Sequence, residues 1–189
     1  MKSVSKILVL LLVVGLTTLG CKKLLDVDFT AEFKADMPMT IAADAVSDST
    51  SADRNTNADW YPFSGYKTID PADNSDYNKY SDKIKSVTVN SITVTITNLN
   101  KSFILADVHI HVLDADNENE ASWRFPNVSV SEGTVLTLED ADGKFAVVKA
   151  MFEAGHEVDV VVHGKTSENG LTFTITTVFG TKIVANPLN

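Results

Sequence analysis

The stretch that most constrains this chain runs from Val87 to Val112, where apolar residues recur at every second position. Val87 and Val89 share one parity, and Ile92, Val94 and Ile96 share the other. Period two places alternate side chains on opposite faces of a strand. A one-residue slip exchanges those faces, so a β-bulge or sharp bend is expected at Asn90-Ser91. Thr88, Thr93, Thr95 and Thr97 are β-branched residues suited to the other face. Asn98-Leu99-Asn100-Lys101 reads as a turn. In the strand after it, Ile104, Ala106, Val108, Ile110 and Val112 are expected inward, and Asp107, His109 and His111 outward.

The rest of the chain is punctuated in the same way. Val27, Phe29, Ala31 and Phe33 alternate with polar residues, and the pattern resumes at Met37, Met39 and Ile41 after an expected break near Pro38. Ala42 to Asp59 is small and polar, and with the aromatic stretch behind it predicts a long loop over 42–66. Asp76 to Lys83 predicts a short helix with Tyr77, Tyr80 and Ile84 on one face. Trp123 and Phe125, then Val128 and Val130, predict a strand interrupted at Pro126, and Thr134 to Leu138 another. Asp140-Ala141-Asp142-Gly143 can start a helix, with an Asp as the N-cap, carrying Phe145, Val148, Met151 and Phe152 and with Gly155 at its end; a strand through Phe145 to Val148 is the alternative. Val158, Val160 and Val162 form a strand. Asn169-Gly170 is a hairpin signal leading into Leu171, Phe173 and Ile175, with Ile183-Val184 extending the sheet past Gly180.

Seven to nine short strands with regular turn signals predict a mainly β fold: a β-sandwich with immunoglobulin-like proportions and one or two short helices. A small closed β-barrel is the alternative.

The first residues carry a different pattern. Lys2 and Lys6 precede an apolar run from Ile7 to Leu16, followed by Thr18-Leu19-Gly20-Cys21. A membrane span needs about 20 apolar residues, whereas a signal-peptide core has roughly 7–15. The pattern resembles the lipobox of bacterial lipoproteins, in its looser form with Thr18 three places before the cysteine. Cys21-Lys22-Lys23-Leu24-Leu25-Asp26 resembles the mature starts of envelope lipoproteins of the Bacteroidota. The resemblance implies cleavage before Cys21, a diacylglycerol on its thiol, and a lipid-anchored place in the cell envelope, at the outer membrane. It implies residues 1–20 as signal peptide, 21–26 as anchor and spacer, and 27–189 as one domain.

Cys21 is the sole cysteine, so the domain holds no disulfide and no nucleophilic thiol if that residue is acylated. The formal charge is −9, and −11 once Lys2 and Lys6 leave with the signal. An acidic surface repels nucleic acid and anionic headgroups, so no nucleic-acid partner is expected and the lipid makes the membrane contact.

Asp107-x-His109-x-His111 puts three potential ligands on one strand face, a spacing that can chelate zinc or copper. Asp159 and His163 share a face of a later strand and join them if the two strands are neighbours. The polar outer face of a sandwich explains the same residues without a metal. Asp114-Ala115-Asp116-Asn117-Glu118 resembles the start of an EF-hand, but Asn119 stands where that loop needs glycine and Phe125 where it needs glutamate. Trp60, Tyr61, Phe63 and Tyr66 could offer rings to a glycan or protein partner, or could plug the end of the sandwich. No Gly-x-Ser-x-Gly, His-Glu-x-x-His or phosphate-cradling glycine loop occurs, so no enzyme is expected and no cofactor beyond the lipid, with zinc or copper as the alternative. The function expected is a non-enzymatic binding or assembly module for a glycan or envelope protein; a metal-binding protein is the second.

Overall fold

The computed structural model describes residues 26–47, 59–116 and 118–188. Cys21, the signal and most of the spacer lie outside the described residues, as do 48–58 of the expected loop. The described chain runs β1 (Val27–Ile41), β2 (Tyr61–Ile69), α1 (Ser75–Lys79), β3 (Ile84–Thr97), β4 (Phe103–Asp114), β5 (Glu120–Phe125), β6 (Val128–Val130), β7 (Thr134–Leu138), α2 (Lys144–Ala154), β8 (Val158–Thr166) and β9 (Leu171–Ala185). One sheet has the order β1-β9-β3-β7, and the other β2-β8-β4-β5 with β6 also paired to β4. The sheets are not closed into a barrel. The fold is a β-sandwich, and every strand pair is antiparallel.

Alternation builds the core. In β1 the odd residues from Ala31 to Ile41 are buried in one core with Leu171, Phe173, Ile175, Phe179 and Ile183 of the adjacent β9 and with Val108, Ile110 and Val112 of β4 in the other sheet. At one end Phe33 stacks on Phe152 of α2 with centroids 4.4 Å apart, and the Tyr77 hydroxyl of α1 donates to the Phe152 carbonyl at 2.7 Å. At the other end Phe63 and Phe103 close around Phe173.

Several expectations need correction. β1 does not break at Pro38, which pairs with Thr174. It lies on a sheet edge, where a missing N–H costs little. The loop over 42–66 ends earlier, because Tyr61–Ile69 is a strand. It too is an edge strand, which accommodates Pro62. At Gly65 an added Cβ would stand 2.0 Å from the Met39 methyl, so glycine here makes room for the opposite sheet. The helix expected over Asp76–Lys83 is only Ser75–Lys79, followed by a 3₁₀ turn at Ser81–Lys83. Asn74 caps it one residue early by accepting from the Asp76 and Tyr77 amides, and so short a helix is held by its buried Tyr77 rather than by propensity. The helix after Asp140 does form, but its N-cap is Gly143 and not an Asp, because a 3₁₀ turn at Ala141–Gly143 comes first; the Asp140 carboxylate accepts the Phe145 amide from before that turn, and Gly155 is left-handed at the helix end. Asn169-Gly170 does not close a hairpin, since β8 and β9 belong to different sheets. Both residues bond instead to the carbonyls of Ala43 and Ala42, which draws the chain across to the first sheet.

The bulge expected at Asn90-Ser91 is present. Val89 pairs with Thr181 and Ser91 with Gly180, so β3 carries an extra residue there. Two further irregularities were not anticipated: β3 also shifts register between Ile84 and Ser86, and a bulge lies in β4. Ala106 pairs with Lys165 and His109 with His163, leaving Asp107 and Val108 against Gly164 alone. The inward set before it is therefore Phe103 and Leu105, not Ile104 and Ala106, and Ile104 is exposed. After the bulge Val108, Ile110 and Val112 face inward as expected.

Candidate metal centre

The β4 bulge determines what the outer face of the second sheet presents. Asp107 sits in it with φ 54°, a left-handed conformation that Asp and Asn adopt more readily than other residues with a side chain, as Asn98, Asn127 and Asp142 also do. Beyond it the parity leaves His109 and His111 outward. On β8 the alternation Val158, Val160, Val162 inward leaves Asp159, Val161 and His163 outward. Arg124, His109, His163 and Ser64 are then successive cross-strand partners along one row.

That row, with His111 beside it, brings three imidazoles together. One nitrogen from each of His109, His111 and His163 lies within 4.8 Å of the others. Zinc bonded to imidazole at about 2.0–2.1 Å in a tetrahedral site has donors about 3.3 Å apart. The three donors therefore need to close by about 1.5 Å at most to share an ion. The rings are nearly parallel: 5° apart for His109 and His163 at 4.9 Å, and 14° for His111 and His163 at 5.1 Å. Imidazole lone pairs lie in the ring plane, so rings in a stack do not aim them at a common point. Metal binding requires turning rings about χ2, a soft torsion.

Two of the three rings are backed by carboxylates. His111 Nδ1 lies 2.5 Å from Glu120 Oε1. That contact leaves Nε2 as the available donor, the arrangement in which a carboxylate orients a ligating histidine. His111 Nε2 is enclosed and has no hydrogen-bond partner among the described residues, a costly state for a buried polar atom. His109 Nε2 lies 3.5 Å from Asp107 Oδ1, and the same oxygen accepts from Arg124 Nε. The Arg124 hydrogen bond and then its charge hold the Asp107 carboxyl below the usual carboxylate range. Burial, then the neighbouring charges of His111 and His109, push the His163 imidazole below its ordinary value. That shift favours the neutral form a metal needs.

Of the five metal candidates from the sequence, the three histidines converge and Asp107 borders them. Asp159 does not join. It lies four residues from His163 along β8, about 13 Å at strand rise, and accepts from the Thr68 hydroxyl at 2.7 Å. Among the described residues of the acidic loop after β4 no cation site of EF-hand type forms: both Asp114 carboxylate oxygens are taken by the Glu118 and Asn119 amides and the Asn119 side chain, which also lower its pKa. The aromatic stretch divides by parity. Phe63 is buried against Phe173 and Tyr61 packs on the core, Trp60 is half-buried, and Tyr66 is 63% exposed on the histidine face. Its hydroxyl meets the Thr68 hydroxyl at 2.7 Å.

Sequence reasoning missed Glu120 and Arg124. The signal was the turn at 114–119: counting outward from it pairs Leu113 with Glu120 and His109 with Arg124. No protein-family model matches the chain, and no curated protein sequence does.

Proposed function

We propose that this chain is a lipid-anchored envelope protein, without enzymatic activity of its own, that binds a divalent transition metal ion, zinc or copper, through His109, His111 and His163. The observation that carries the reading is the convergence of three imidazole donors within 4.8 Å on one outward sheet face. The enclosed, unpartnered His111 Nε2 supports it. Imidazole suits both ions, and the absence of any thiolate in the domain favours the divalent states. The anchor rests on the lipobox at Thr18–Cys21. Among the described residues no helix is long and apolar enough to cross a membrane.

The test is elemental analysis and calorimetry on protein freed of metal. One equivalent of zinc or copper is expected for the natural chain and none for His109→Ala with His111→Ala. Absence of stoichiometric metal from the natural chain overturns the reading. Cys21→Ser is expected to remove acyl label and leave the domain's melting unchanged.

Tyr66 favours a second reading, a surface for a glycan or envelope protein. An exposed aromatic ring gives contact area at low entropic cost. A glycan array and pull-down from envelope extracts, each with Tyr66→Ala as control, test it; binding that ignores the substitution rejects it.

A further inference from the structure

Three imidazoles leave one tetrahedral position unfilled. Resting on the metal reading above, we propose that Asp107 supplies the fourth ligand, and that Arg124 holds its carboxylate in the metal-free protein. Binding then exchanges an exposed ion pair for a metal–oxygen bond.

The distance between Asp107 Oδ1 and His109 Nε2 is the first support. At 3.5 Å it is long for an N–H···O hydrogen bond, whose mode is about 2.9–3.0 Å. It is close to the roughly 3.3 Å that separates two ligands of one tetrahedral zinc ion. This pair therefore stands nearer to ligand spacing than to a strong bond between its own members. The backbone is the second support. Asp107 occupies a left-handed conformation at the extra residue of a bulge. Bulges re-aim side chains beside functional sites, and this one leaves the Asp107 carboxylate beside His109 on the outward face.

Arg124 is the third. It stands opposite His109 in the β4–β5 ladder and its Nε donates to the very oxygen that faces His109. The side chains of the pair are 65% and 48% exposed, so the pair is solvent-screened and contributes little. A cation can displace the guanidinium without uncovering a buried charge. The resulting set of three neutral imidazoles and one carboxylate leaves a divalent ion with one net positive charge. Oxygen and imidazole donors select against cuprous ion, which prefers thiolate and thioether.

Loss of affinity alone would not separate a ligand from a carboxylate acting through His109. The decisive variant is Asp107→Cys in the full chain carrying Cys21→Ser, so that the introduced thiol is the sole one. With Co(II) it is expected to give an intense near-ultraviolet thiolate-to-cobalt charge-transfer band, which appears only if position 107 enters the coordination sphere. Asp107→Asn is expected to weaken zinc binding by about ten-fold or more, and Arg124→Gln to tighten it several-fold. No charge-transfer band while cobalt binds through the histidines overturns the proposal, as does Arg124→Gln with weakened binding. Failure of the natural chain to bind zinc at all overturns the metal reading itself, and the His109→Ala, His111→Ala control tells the two apart. Melting of each variant confirms that it is folded.

Discussion

Two of the bulges, one in each sheet and each opposite a glycine, are built alike and used differently. In β3 the extra residue lies at Asn90-Ser91 opposite Gly180; in β4 it lies at Asp107-Val108 opposite Gly164. Both exchange the faces of the strand they interrupt, and both put a glycine on the partner strand. What surrounds that glycine differs. A Cβ at Gly164 would meet the Val108 Cα at 3.2 Å and the Phe63 ring at 3.0 Å, whereas a Cβ at Gly180 would meet the Ser91 hydroxyl oxygen at 2.7 Å. The first is crowded by backbone and a core ring, the second by the end of a small side chain. The β3 bulge keeps a strand in register with its core. The β4 bulge is locked from beneath, and above it stand the imidazoles and Asp107. A polar site on a sheet face needs rigid placement of its ligands, and this is the bulge that has it.

The contrast breaks most visibly at Gly164. Gly164→Ala forces a methyl group against the Val108 main chain, which cannot rotate away, and against a ring closing the end of the core. We expect a loss of about 1–3 kcal/mol, the range for overpacking, measured by urea denaturation. Zinc binding by the refolded variant should weaken as well, because the bulge that aims Asp107 and His109 shifts. Unchanged stability would mean that the bulge yields easily and is not the scaffold of the site.

Acidity sharpens the contrast next, since of the two bulges this one adjoins the imidazoles. His163 titrates near 6.5 in an unfolded chain and lower in the folded one. Between the two values the unfolded chain holds a proton that the folded chain does not. His163 therefore contributes fully above about pH 6.5 and its contribution is lost as pH falls toward the folded value. Thermal midpoints of metal-free protein should decline over that window, and His163→Gln should flatten the decline. An identical slope in the variant would show that the stack exerts no net effect on folding.

How much of this was legible in the sequence depends on where the parity signal was strong. At Asn90-Ser91 large apolar residues stand on both sides of the slip, Val87 and Val89 against Ile92 and Val94, so the bulge could be read. In β4 Ile104 and Ala106 continue the parity of Val108 and Ile110, and the pattern looks unbroken. The slip is hidden because Phe103 and Leu105, the residues that go inward, sit beside an exposed Ile104. The outward histidines follow from parity all the same, since they lie beyond the bulge. That β8 neighbours β4, which brings His163 to them, follows from strand order, and strand order is a property of the whole sandwich rather than of any local run. From sequence Tyr61 to Tyr66 reads as the end of a loop in which Pro62 and Gly65 argue against a helix; that it is a strand depends on an edge position, which tolerates Pro62, and on the close approach of Met39 at Gly65, neither of which is a local signal.

The smallest effect is expected at Gly180, and it is the one that isolates the cause. Gly180→Ala meets only the Ser91 hydroxyl, which can turn to another rotamer at a cost of order 1 kcal/mol or less. Removing that oxygen with Ser91→Ala should restore most of the loss, because the next nearest atoms of Ser91 are its carbonyl oxygen at 3.8 Å and its Cβ at 4.0 Å, ordinary contact distances. The double variant tests coupling directly: sites in contact are non-additive, and independent ones add. No such partner exchange is available at Gly164, where the Val108 main chain is the obstacle, and Phe63→Leu there should relieve only the part due to the ring. If Ser91→Ala fails to rescue Gly180→Ala, the β3 bulge is as tightly locked as the β4 bulge, and rigidity no longer distinguishes the sheet that carries the histidines.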